Sequence, residues 1–139
     1  MTFLLDTNAI SEVIKPRPNP GVMDWLSSAD EDRLYLSVIT LAELRHGVER
    51  LAAGSRRASL DRWLSADLPD RFEGRILPVD ARTADAWGRC IARAQTEGRT
   101  IGAMDGFIAA TAMQHQLTLV TRNLADFEPF SVQLFCPWT

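Results

Sequence analysis

The chain has 139 residues, 46% of them apolar and 24% charged, with a net charge of −3. That length and balance suit one folded domain and exclude a disordered chain, a disulfide scaffold and a broadly basic nucleic-acid surface. No basic segment followed by an apolar run opens the sequence, and no apolar stretch reaches bilayer length, so the expectation is a soluble, cytoplasmic protein without membrane contact.

Residues Thr2 to Leu5 read as a short buried strand, followed by helical spacing at Ile10, Val13 and Ile14. Pro16, Pro18 and Pro20 stop that helix near Lys15. Asn19-Pro20 is an N-cap with proline at the first helical position, and the helix it opens carries Val22, Trp25 and Leu26 on one face. Leu34 to Val38 is the second strand. From Thr40 a helix places Leu41, Leu44, Val48 and Leu51 at core spacing and ends near Gly54. A further helix covers roughly Arg56 to Leu68 and breaks at Pro69. Arg75 to Val79 is a short strand, and Asp80 caps a long helix through Ala84, Trp87, Ile91 and Ala94 to Gly98. Ala103 to Gln116 is helical, Leu117 to Thr121 is a clear strand, and Val132 to Phe135 is an edge strand.

Short strands alternating with helices predict an α/β fold: a three-layer α/β/α sandwich around a mainly parallel sheet, one domain over residues 1–139. In such folds ligands bind beyond the carboxyl ends of the strands. That rule selects Asp6, Thr7 and Asn8 after the first strand, Glu43 and Asp105 in the first turns of two helices, and Thr121-Arg122-Asn123 with Asp126 after the fourth.

A cluster of hard oxygen ligands without histidine or cysteine suits Mg²⁺ or Mn²⁺. Each acid also has a structural explanation. Asp6 is a good N-cap, Thr40-Leu41-Ala42-Glu43 matches a capping box, and Asp105 suits the positive end of a helix dipole. Asn123 and Asp126 fall where a loop would place turn residues. The functional reading rests on convergence of the three acids on one sheet edge.

Other groups carry less. His46 lies on a polar helix face and His115 in a last turn, with nothing to bring them together. Lys15, the sole lysine, sits in Lys15-Pro16-Arg17-Pro18; that tract and Arg56-Arg57 can meet a phosphate backbone, although solvated surface is the commoner role. Cys90 and Cys136 lack metal or redox spacing and read as free thiols in a reducing compartment. Trp25, Trp63 and Trp87 fall at core spacings, while Trp138 is less easily buried and is expected at a partner contact.

The runs Leu4-Leu5-Asp6-Thr7-Asn8 with Ser11-Glu12, Leu36 to Leu44 with Gly47, Asp105-Gly106-Phe107-Ile108-Ala109-Ala110-Thr111-Ala112, and Thr121-Arg122-Asn123 with Asp126-Phe127 together resemble the PIN domain. More narrowly they resemble the VapC-type ribonuclease toxins and their FitB-like branch, whose tail Phe135-Cys136-Pro137-Trp138 is similar to. The resemblance implies a metal-dependent endoribonuclease, with Asp6, Glu43 and Asp105 holding Mg²⁺ or Mn²⁺ and a bound water attacking phosphorus. It implies a fourth acid after the last core strand, where this chain has Asn123, with Asp126 as the alternative. Thr7, Asn8 and Thr121 would orient the carboxylates. A homodimer and a cognate antitoxin are implied as partners, with the helix Val22 to Leu26 as one candidate antitoxin contact. Two other classes compete: a PIN-like module that grips RNA or protein without cutting, and a phosphotransfer domain. The second needs an Asp-x-Asp or a late lysine, and residue 8 is Asn.

Overall fold

The computed structural model describes every residue from Met1 to Thr139. Its sheet has five strands: β1 (Phe3–Leu5), β2 (Leu34–Ser37), β3 (Ile76–Leu77), β4 (Thr118–Val120) and β5 (Leu134–Phe135). They lie in the order β3-β2-β1-β4-β5, and every neighbouring pair is parallel. Parallel neighbours require crossover connections, and helices supply them. These are α1 (Thr7–Ser11), α2 (Pro20–Ser28), α3 (Val38–Glu49), α4 (Ser55–Arg62), α5 (Leu68–Arg71), α6 (Ala81–Thr96), α7 (Ala103–Gln114) and α8 (Leu124–Phe127).

Alternation along the strands divides the core in two. Leu4 and Leu119 pack with Cys90 of α6 and Ile108, Ala109 and Ala112 of α7. Leu5, Leu36 and Val120 pack on the other face with Ile10, Leu44, Leu64 and Phe72. Both faces are covered, which explains why the central strands read as unbroken apolar runs. Leu119 is fully buried in the middle of one cluster, so Leu119→Ala is expected to cost about 3 kcal/mol. A thermal melt followed by circular dichroism checks this, and an unchanged midpoint would contradict the packing.

Several local expectations hold. Asn19 caps α2, accepting the Val22 N–H at 3.2 Å with Pro20 first in the helix. Asp80 caps α6 by accepting the Thr83 N–H at 2.9 Å. Beyond α6, Gly98 takes φ 74°, a left-handed conformation that suits a helix end.

Others are corrected. The helix after β2 begins at Val38, not Thr40, because β2 leaves the sheet at Ser37 and that hydroxyl accepts the Ile39 N–H at 3.0 Å. The Thr40–Glu43 capping box therefore does not form, and Glu43 sits in the second turn. α3 ends at Glu49, well before Gly54, which instead precedes α4. Pro69 does not break its helix. A wide turn over Trp63–Asp67 bonds the Leu68 N–H to the Trp63 carbonyl, and the backbone stays helical from there into α5, with Pro69 in its first turn. Asp126 lies within α8 rather than in a loop, while Asn123 stands just before the helix. Trp138 packs against the core on the Leu5 side and is half-buried. No helix is long and apolar enough to cross a membrane.

Candidate functional site

β1 is the central strand, with β2 on one side and β4 on the other, so the chain crosses over in opposite directions from its two flanks. The crevice between β1 and β4 is the switch point where doubly wound sheets bind ligands. Asp6 emerges there from β1, its N–H still bonded to the Val120 carbonyl at 3.0 Å, and Thr121 emerges beside it from β4.

Asp6 caps α1, Oδ1 accepting the Ala9 N–H at 2.8 Å. It is also only 5% exposed. Burial pushes its pKa from 3.8 up to about 6; the Thr121 hydroxyl and the Ala9 N–H pull it back, while Asp105 and Glu43 push it further up. The cap is thus observed, and it leaves Asp6 within reach of the charges of Asp105 and Glu43.

Asp105 stands in the first turn of α7 at the open rim. Loss of water around its carboxyl raises its pKa, and the charges of Glu43 and Asp126 add to that. Glu43 is half-buried and its Oε1 accepts the Thr7 hydroxyl at 2.6 Å. The Thr7 and Thr40 hydroxyls are 3.2 Å apart, which ties α1 to α3 beneath the acids. Thr40 is fully buried; the sequence reading treated it as a helix cap and missed this role, although a threonine on the inward face of a helix was a usable signal.

Six of the predicted residues are thus linked: Asp6, Thr7, Glu43, Asp105, Thr121 and Asp126. Asn8 and Asn123 are not engaged through their side chains. Both are exposed; the Asn8 carbonyl accepts the Ser11 hydroxyl at 3.2 Å, and the Asn123 N–H donates to Thr121 Oγ1 at 3.1 Å. Of the two candidates for a fourth acid, Asp126 is the one whose charge reaches Asp105.

No three acidic, histidine or cysteine side chains stand close enough together to hold a metal ion as they are. The carboxylates are coupled by charge rather than gathered into a cage. Their chemistry nonetheless fits a hard divalent cation, because the donors are all oxygen and the raised pKa values of Asp6 and Asp105 mark a site short of positive charge.

A five-stranded parallel sheet with helices on both faces and acidic side chains at the switch point defines a doubly wound α/β domain. Within that class the chain belongs to the PIN domain family, whose model matches residues 3–128. It is 45% identical over 136 residues to Toxin FitB of Neisseria gonorrhoeae, covering 98% of each chain. It is 38% identical over 136 residues to VapC ribonuclease Y4jK of Sinorhizobium fredii, covering 98% of this chain and 97% of the relative. The crystal structure of FitAcB from Neisseria gonorrhoeae superposes with a TM-score of 0.93 at 44% identity, covering 99% of both chains.

Proposed function

We propose that this chain is a divalent-metal-dependent endoribonuclease that hydrolyses RNA phosphodiester bonds, and that it is the toxin of a type II toxin–antitoxin pair. The observation that carries the reading is the convergence of Asp6, Glu43 and Asp105 from three separate segments, where the charges of Asp105 and Glu43 add to the burial that raises the Asp6 pKa, and that of Glu43 adds to the burial that raises the Asp105 pKa. The ribonuclease and toxin names of the relatives point the same way.

In this reading Asp6, Glu43 and Asp105 hold Mg²⁺ or Mn²⁺, with Asp126 rather than Asn123 adding charge. When bound, such an ion activates water and offsets charge on a phosphoryl oxygen. The protein's own part is positional. The Ala9 N–H fixes one oxygen of Asp6, and Thr121 lies at the same carboxylate. Thr7 fixes one oxygen of Glu43, so that neither side chain is free to turn away. Below about pH 6 Asp6 carries a proton that must leave before a cation can bind. Cleavage and divalent affinity are therefore expected to decline as pH falls through about 6. Rates measured from pH 5 to 8 check this, and a flat profile would count against Asp6 as a ligand.

An apolar groove of about 460 Å³ lies outside the acidic pocket, lined by Met23 and Leu26 of α2, Trp63, Leu68 and Phe72. A cognate antitoxin segment is the proposed occupant, and a homodimer is the proposed assembly of the free toxin.

The test is cleavage of total RNA by purified, inhibitor-free protein with Mg²⁺, with Mn²⁺ and with EDTA, using Asp105→Asn as the contamination control. Discrete metal-dependent products that vanish in the variant are expected. The ungathered carboxylates and the uncharged Asn123 favour one competitor, a PIN-like module that binds without cutting. Absence of cleavage in every metal, from folded protein that still binds RNA, would select it.

A further inference from the structure

α2 is lightly held by the body of the fold. No other helix or strand runs close alongside it, and it meets the core through the buried Val22 and the half-buried Trp25 and Leu26. Yet Met23 and Leu26 form one wall of the apolar groove, so the position of α2 sets the width of that groove. A nine-residue helix is too short to be stable alone and needs ties to its surroundings. The first tie is at Asn19, whose backbone N–H donates at 2.8 Å to Oε1 of the buried Glu12.

The other ties come from residues 135–139. The Asn19 side-chain carbonyl accepts the Thr139 N–H at 3.2 Å as well as the Val22 N–H at 3.2 Å, and its amide donates to the Thr139 carbonyl at 3.1 Å. One side chain therefore caps α2 and grips the chain 120 residues away. Gly21 lies against the buried Pro137; a Cβ there would overlap the Pro137 carbonyl oxygen and stand 2.6 Å from Thr139 Cγ2. Further along α2, the Trp25 ring lies 5.3 Å from that of Phe135 between centroids, and Phe3 meets Trp25 edge-on at 5.0 Å. Residues 135–139 thus run antiparallel to α2, meeting it at Trp25, Gly21 and Asn19 in turn. Trp138, within that run, packs against the core.

We propose that residues 135–139 are a latch that fixes α2 in place as a preformed wall of the apolar groove. The polar contacts at Asn19 hold the start of the helix, and the aromatic contact at Trp25 holds its middle. A segment that seats in the groove then meets a wall already in position and does not bear the cost of ordering it. That consequence for the groove rests on the partner reading above; the latch itself does not.

The experiment measures amide hydrogen exchange, segment by segment, in the wild type and in Gly21→Ala, Asn19→Ser and Gly88→Ala. Alanine favours a helix over glycine, so without a latch Gly21→Ala should slow exchange in α2. With a latch the new Cβ displaces Pro137, and exchange over α2 and residues 134–139 should rise by about tenfold, the equivalent of one or two net hydrogen bonds. β4 and α7 should keep their protection. Serine preserves the N-cap but has no amide to donate to the Thr139 carbonyl, so Asn19→Ser should raise exchange over the same two segments. Gly88 lies in α6 with no atom near its missing side chain. Gly88→Ala therefore controls for alanine in a helix and should change neither segment. Exchange that slows or stays unchanged in α2, or that rises there without a rise over residues 134–139, would overturn the latch. If Gly21→Ala does not fold, Asn19→Ser decides by the same readout. A wild-type protein that cuts no RNA would overturn the ribonuclease reading and leave the latch standing.

Discussion

Asp6→Asn is expected to abolish RNA cleavage while raising the melting temperature at neutral pH. The two effects share a cause. The folded state raises the Asp6 pKa from 3.8 to about 6, so folding favours the protonated acid. Below pH 4 the group is protonated in both states and contributes no penalty. Between about 4 and 6 the folded state binds more protons than the unfolded one, and stability falls as pH rises. Above 6 the full cost of holding a buried carboxylate is present, about 3 kcal/mol by that shift. Asparagine keeps an acceptor for the Ala9 N–H, serves equally well as an N-cap and carries no charge. In metal-free buffer at pH 7.5 the variant should therefore melt roughly 10 °C higher, with the difference disappearing near pH 4. A simple capping role predicts no loss of cleavage. Retained cleavage, or a lower melting temperature at pH 7.5, would remove Asp6 from the role proposed for it.

The second large effect is expected at a residue that carries no chemistry. Gly106 follows Asp105 and is buried where α7 crosses α6. A Cβ there would lie 2.8 Å from Trp87 Nε1, 3.0 Å from its Cδ1 and 3.1 Å from Ile91 Cδ1. Ile91 can turn aside, but the Trp87 ring is stacked on Phe107 at 4.8 Å and cannot easily retreat. Gly106→Ala must then push the first turn of α7 outward, and Asp105 moves with it. Overpacking of this kind costs about 2 kcal/mol, and a displacement of about 1 Å at a reacting group can cost about a hundredfold in rate. Cleavage should fall far more than the remaining folded fraction explains. Full activity in a stable Gly106→Ala protein would mean that α7 tolerates the shift, or that Asp105 does not need its present position.

Most of the fold was legible in the sequence because the signals are local. The short apolar runs of Phe3 to Leu5 and Thr118 to Val120, the Asn19-Pro20 start of α2 and the Asp80 cap of α6 involve neighbours a few residues apart. The general rule for strand ends was enough to select Asp6, Glu43 and Asp105. Where a choice depended on the end of another element, sequence reasoning failed. Ser37 and Thr40 are both competent caps, and only the pairing of β2 decided between them. Pro69 breaks a regular helix but is accommodated once a wide turn precedes it.

The site divides the same way. Which acids this protein possesses, and that no histidine or cysteine stands among them, follows from the sequence by itself, because donor chemistry belongs to the residue. What those acids do to one another does not. The Thr7 bond to Glu43 joins residues 36 apart in the chain, and Asp6 owes its raised pKa to burial and to Asp105, almost a hundred residues away. Asp126 rather than Asn123 acts on Asp105. Proton affinity and charge coupling depend on distance and on lost solvent, and only the folded arrangement sets either.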